Sequence, residues 1–356
     1  MKHGPGEDVR AREGRFGRTA TAVAALVAVA GCSGAGNAAS RARVRPIGTT
    51  FYVSPSGRNS NRGRTPNRPW RTITRVNNAK LRPGDQVLFL GGARFSGQIL
   101  IPSASGTAGA PITFGSYGRG RALLEDGAWF VASHLRFQDL GFGATVTGGG
   151  RQGTSNDITI DGVRIAPRTG NGELGINSLG NHWVIEHSTI TGTGLSGLLL
   201  RGSGYRIADN TITNTGLDTR ESFHQHGIYL DASDARIVGN VISIFSDSGI
   251  SVRYRDTTIA RNVISGGPLG IDFFQSDPLA GSNRWFSNTI SDTTVAGIYV
   301  SPAGSGGNTK ASFLITSNRL RPARGVNMNL SKTTGSYLVA DNQCVPSHGP
   351  CTTPRL

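Results

Sequence analysis

The 356-residue chain is poor in the residues from which many ordinary folds are built: two Met, three Cys, four Lys, and aromatics at only 7%. Charged residues make up 17%, and long stretches of Leu, Glu, Lys and Ala at helical spacing are absent, which excludes an all-helical protein. The uncharged apolar run 19–31 has 13 residues, too few for a membrane-crossing helix, which needs ~20. What is abundant is glycine, with 51 residues, about twice the usual ~7%. No three-residue period accompanies it, so collagen is excluded, and 37% hydrophobic residues in aliphatic runs argue against disorder. The composition is that of a turn-rich β protein.

The formal net charge of +15 is unevenly spread. Residues 41–82 hold eleven cations and no acid, whereas 83–356 carry 21 cations against 19 anions. A nucleic-acid footprint would run along the folded body, so nucleic acid is excluded as the expected partner. The basic N-terminal stretch favours at most an acidic polymer or anionic surface.

Residues 1–18 are polar, with Lys2, Arg10, Arg12, Arg15 and Arg18, and precede the short apolar core. A charged start, an apolar core and a small-residue end make an export signal. Val29-Ala30-Gly31-Cys32 resembles the bacterial lipobox, in which the thiol receives the lipid; the alternative is ordinary cleavage after Ala28-Val29-Ala30. The expected organisation is a signal at 1–32, a flexible tether at 33–48, a single domain at 49–343 and a tail at 344–356. The expected location is outside the cytoplasm, lipid-anchored or secreted. Cys344 and Cys351, seven apart around Pro346, Gly349 and Pro350, are then expected to form a disulfide.

The main signal is a repeat. The pattern apolar-x-x-Asn-x-apolar recurs as IADNTI (207–212), IVGNVI (237–242), IARNVI (259–264), ITSNRL (315–320) and VADNQC (339–344), with weaker copies back to 137–142. Its fourth positions are spaced by 22 to 30 residues. A second pattern follows each copy, Gly-apolar-x-apolar, from Gly175-Ile176 to Gly325-Val326. Short alternating segments joined by Gly and Asn describe coils of a solenoid, each too small to bury its own apolar face. Asn210, Asn240, Asn262, Asn288, Asn318 and Asn342 are expected to stack as an amide ladder at a tight turn, since Asn tolerates left-handed backbone angles. The fold class is all-β, a single-stranded right-handed parallel β-helix.

The segments 51–57 (FYVSPSG), 69–73 (PWRTI) and 81–89 (LRPGDQVLF) resemble the opening of the pectate-lyase-like superfamily of β-helix proteins. The resemblance implies a short capping helix at about 73–80 and covers 51–343. It speaks for fold rather than reaction, because that superfamily holds lyases, hydrolases, epimerases and non-catalytic binders.

In the second pattern, apolar positions point inward and the next ones outward. The expected outward column is Asn177, Leu199, Tyr229, Ser251, Asp272, Tyr299 and Asn327, with a parallel one of Arg201, Asp231, Arg253, Phe274, Ser301 and Asn329. Aromatic faces stack on sugar rings, and the polar groups bind hydroxyls or carboxylates. The coil between Asn210 and Asn240 carries extra residues 218–226, and long insertions tend to lie on a working face. His226 and His224 are candidate general bases, Tyr229 an acid or base, and Arg201 or Arg253 a clamp on a uronate carboxylate. The favoured constellation is His226, Asp231 and Arg253, with Tyr299 and Asp272 binding substrate. Each has a plainer alternative: turn, sheet cover or ion pair across coils. Asp231, Asp234 and Asp272 offer oxygen ligands for Ca²⁺.

The expected partner is a polysaccharide, with a membrane met only through the lipid anchor, and the chain is expected to be a monomer. The leading reaction is β-elimination on an acidic glycan. The alternatives are a non-catalytic glycan-binding lipoprotein and a glycoside hydrolase using Asp231 and Asp272.

Overall fold

A computed structural model describes residues 48–167, 172–218, 220, 225–274, 281–302, 311–331, 334–349 and 351. The export signal with Cys32, nearly all of the tether and His224 lie outside these residues.

Each coil contributes three short parallel strands. One series forms a 12-stranded sheet from Thr50–Val53 to Gly335–Ala340. The other two run side by side and merge where Val263–Phe273 and Thr289–Val300 span both. Three inward columns fill the interior. Ile160, Ile185, Ile207, Ile237 and Ile259 stack in the first sheet, each paired with the next. Ile165, Ile190, Ile212, Ile242 and Ile264 make the second column, and Ile176, Leu198, Ile228, Ile250 and Ile271 the third. All fifteen are 0% exposed. β-Branched residues suit such strands, because the pleated surface accepts their restricted rotamers and neighbouring coils bury both sides.

The ladder stands as expected, in hydrogen-bonded form. The amide of Asn262 donates to Ile237 O and to Asn288 Oδ1, while its own Oδ1 accepts from the backbone and side chain of Asn240 at 2.9 and 3.0 Å. The same bonds link Asn210 through to Asn342, and Ser188 extends the row by donating its backbone N–H to Asn210 Oδ1. One detail differs. The left-handed residue is the one before each Asn: Asp209, Gly239, Arg261, Ser287, Ser317 and Asp341 all have φ between 50° and 71°. The Asn is there for its amide, which satisfies backbone groups of two coils at once.

The glycines of the second pattern have a different reason. A Cβ added at Gly175, Gly197, Gly227, Gly249 or Gly270 would lie 2.4–2.8 Å from the carbonyl oxygen of the equivalent glycine one coil on. This close backbone stack turns the chain into the third strand series and aims the residues that follow.

The capping helix is shorter than expected, Ile73–Asn77. Thr72 caps it by accepting from Arg75 N, and Ile73 and Val76 close the open end of the core. At the other end the structure pairs Cys344 with Cys351, Cα atoms 6.0 Å apart.

Candidate functional site

The outward column of the third series reads Asn177, Leu199, Tyr229, Ser251, Asp272, Tyr299 and then Asn329, each in register with the next. Asn327 is therefore not its last member. The final coil is shifted by two residues, and Asn327 is 0% exposed with Nδ2 donating to Val345 O and Gly349 O. Asn329 moves into this column from the neighbouring one.

Outward positions on a solenoid normally meet water, yet Ser251 and Asp272 are 0% exposed. Ser251 Oγ donates to Asp272 Oδ2 at 3.0 Å, and Oδ1 has no hydrogen-bond partner. Burial, helped by the nearby Asp247 charge, pushes the Asp272 carboxyl up to about 7. Ser248, Arg253 and Ser251 oppose the rise without cancelling it. The cost of an ionised carboxylate out of water exceeds what two hydroxyls and one cation return.

Around this carboxyl the chain assembles a compact group. Asp247, in the turn before strand Ser248–Val252, is half-exposed, and its pKa is also raised by burial. His226 Nδ1 lies 3.6 Å from Asp247 Oδ2, and its ring stacks on Tyr229 with centroids 5.0 Å apart. The guanidinium of Arg253 sits over two rings, 4.8 Å from Tyr229 and 5.0 Å from Phe274, with Tyr299 tilted against Phe274 at 5.6 Å. Such stacking holds a cation in place while leaving N–H groups for another partner; its Nε is buried with none.

The insertion feeds this group. Asp218 holds Arg220 with two hydrogen bonds of 2.9 and 2.8 Å, and Gln225 reaches back to Asp218 O. The two ends are thereby tied together just before His226, whose backbone N–H donates to Ser196 Oγ.

Of the sequence candidates, His226, Tyr229, Arg253, Asp272 and Tyr299 converge. Asp231 does not join them, because it stands beside Arg201 in the neighbouring column. No ion pair links it to Arg253 among the described residues. Asp231 and Asp272 are two coils apart, not adjacent, so they do not form the carboxylate pair expected of a hydrolase. Arg201 is occupied within the sheet, donating to Asn177 Oδ1 at 2.7 Å. His226 is 3% exposed, beneath the Tyr229 ring and 3.6 Å from the Asp247 carboxylate. Asp231, Asp234 and Asp272 do not converge on a Ca²⁺ site. Among the described residues one metal-like group does exist, Asp161, Glu186 and His187, but Arg136 and Arg206 already neutralise its carboxylates.

Asp247 was not among the sequence candidates. Its backbone N–H donates to Gln225 O, so it lies one coil above the residue preceding His226. Aligning the residues just before Gly227 and Gly249 coil by coil would have placed it there.

Known proteins share this architecture. A lacto-N-biosidase of Bifidobacterium longum subsp. longum is 45% identical over 75 residues, which is 20% of this chain and 5% of that protein. The structure of a GH136 lacto-N-biosidase from Eubacterium ramulus aligns with TM-score 0.58 at 16% identity, over 83% of this chain and 68% of that one. Pectate lyase Pel9A aligns with TM-score 0.56 at 15% identity, over 84% and 78%. At these identities the structural likeness speaks for the fold, which hydrolases and lyases share. The family model for the right handed beta helix region matches residues 123–276 and 196–343, the coils that carry the ladder and the carboxylates, and the chain belongs to that family.

Proposed function

We propose that the chain is a glycan-active enzyme that hydrolyses glycosidic bonds on the face formed by Tyr229, Ser251, Asp272 and Tyr299. The observation that carries this reading is the Asp272 carboxyl, raised to about 7 beside a second, half-exposed carboxyl, Asp247. Glycoside hydrolysis needs one carboxylic acid that keeps its proton near neutral pH and a second carboxylate that attacks or activates water. Asp272 is the acid, and the unpartnered Oδ1 is where the leaving glycosidic oxygen takes its proton. Asp247 is the second carboxylate, with His226 Nδ1 3.6 Å from its Oδ2. Tyr299, tilted against the exposed Phe274, offers a face for a pyranose ring. Because Asp272 is closed off from solvent, substrate entry requires a covering side chain to rotate, a ps–ns event at a surface. The 75 residues shared with a lacto-N-biosidase favour the same class of reaction.

A second reading, β-elimination on a uronate-containing glycan, is favoured by Arg253 alone. Its guanidinium is held between two rings as a carboxylate clamp would be. The test is mass spectrometry of products from a panel of neutral and uronate-rich oligosaccharides. Fragments carrying one added water, lost in Asp272→Asn, are expected. Fragments one water lighter would move the assignment to elimination, and an unchanged panel would leave the glycan-binding alternative.

A further inference from the structure

A second feature lies on the first sheet, away from the carboxylates, and does not rest on the reading above. Arg206 and Arg236 occupy the same outward position on successive coils, about 4.8 Å apart by strand spacing. Arg261 stands one coil further, in the turn that precedes the ladder asparagine. With Asp209 they wall a pocket of about 360 Å³ whose floor is Ala208 and Val238.

The pocket exists because the turn column is interrupted. Asp209 and Arg261 carry side chains at the left-handed turn position, but the coil between them has Gly239, with φ 71°. A Cβ there would lie 2.4 Å from Asp209 Oδ1. Glycine leaves the gap open without displacing the Asp209 carboxylate. Arg206 is already paired with Glu186, at 2.5 Å. Arg236 and Arg261 are exposed.

The chemistry of the walls selects the occupant. Guanidiniums take a carboxylate, an apolar floor takes the carbon face of a ring, and Asp209 accepts from hydroxyls, which a sugar carries and a bare inorganic anion lacks. We infer that this pocket is a non-catalytic subsite for an acidic sugar, a uronate unit of a glycan chain, held by Arg236 and Arg261 over Ala208 and Val238. Arg284, in the same outward column two coils beyond Arg236, extends positive charge along the axis. A chain with one carboxylate per sugar would follow that direction.

The test is calorimetric titration of the protein with tetragalacturonate, a neutral galactose tetrasaccharide and inorganic sulfate at low salt. The double variant Arg236→Ala/Arg261→Ala is expected to weaken tetragalacturonate binding by tenfold or more, as loss of charge-assisted bonds does. The neutral sugar should be unaffected, and thermal midpoints unchanged. Gly239→Asn keeps every charge and fills the gap, and the same loss is expected from it. Wild-type affinity in Gly239→Asn would reduce the site to diffuse charge and overturn the proposal. So would a loss caused by Arg253→Ala but not by the double variant, since binding would then belong to the other sheet. Sulfate binding as tightly as tetragalacturonate would overturn the sugar assignment.

Discussion

Replacing Asp272 by Asn should make the protein more stable and less active, and the size of the first effect follows from burial. The carboxyl is fully buried and raised from 3.8 to about 7. Between those values the native state holds a proton that the unfolded chain has released. A raised pKa contributes stability that is fully present below about pH 4 and is lost as pH rises through 7. At ~1.4 kcal/mol per pH unit the loss is about 4 kcal/mol. Asn keeps the Ser251 hydrogen bond and cannot ionise. The variant should therefore match the wild type within about 1 kcal/mol at pH 4 and exceed it by about 2–4 kcal/mol at pH 8. Urea unfolding read from the buried Trp183 and Trp285 at several pH values checks this, through midpoints at unchanged m. Curves for the two proteins that run parallel from pH 4 to 8 would show that Asp272 does not titrate as argued, and the acid assignment would go with it.

The remaining expectations concern ladder, turn and ring. Asn262→Ala takes the amide donor from Ile237 O and the acceptor from the Asn240 backbone N–H, while Asn240 Nδ2 keeps Ile207 O and Val238 O; at ~1–3 kcal/mol per buried orphan it should cost about 2–4 kcal/mol. Half-buried Asn342→Ala at the end of the row should cost less, measured by the same unfolding assay. Ile244 is a β-branched residue at φ 56°, 58% exposed, in the position that Asn214 fills one coil earlier at φ 55°. Such strain costs ~1–3 kcal/mol, so Ile244→Asn should stabilise by about 1 kcal/mol; an unchanged or lower thermal midpoint contradicts this. Tyr299→Ala should raise KM about tenfold with little change in kcat if the ring only binds sugar, whereas a matching fall in kcat would place it in the chemistry.

The fold was legible because a solenoid repeats its instructions. Period, ladder and inward columns can each be read from six or more copies, and one irregular coil does not hide them. The errors fell where a single copy departs. The last coil is shifted by two residues, which placed Asn327 in the wrong column. The site was half legible for the same reason. Tyr229, Asp272 and Tyr299 sit in a repeated position, so counting finds them. Asp247 sits in a turn with no repeated character, and its partnership with Asp272 depends on how the chain bends around Gly249. Asp231 and Asp272 do not pair because two coils and a two-residue column offset separate them.

The same periodicity gives a reason to assign chemistry to Asp272 rather than architecture. In a stack of similar coils, each position has its own control in the coils above and below. The position of Asp272 is filled elsewhere by Asn177, Leu199, Tyr229, Ser251, Tyr299 and Asn329. The coil folds with amide, aliphatic, aromatic or hydroxyl there, so it has no need of a carboxylate. Asp272 nonetheless stands buried where ionisation is costly, with one oxygen unpartnered. Asp161, by contrast, is an acid whose pKa is lowered, against the cost of burial, by hydrogen bonds to His187 and Arg136, which is what a structural ion pair does. A group that destabilises the fold near neutral pH, at a position where the fold tolerates gentler residues, is what the proposed hydrolysis would use as its proton donor.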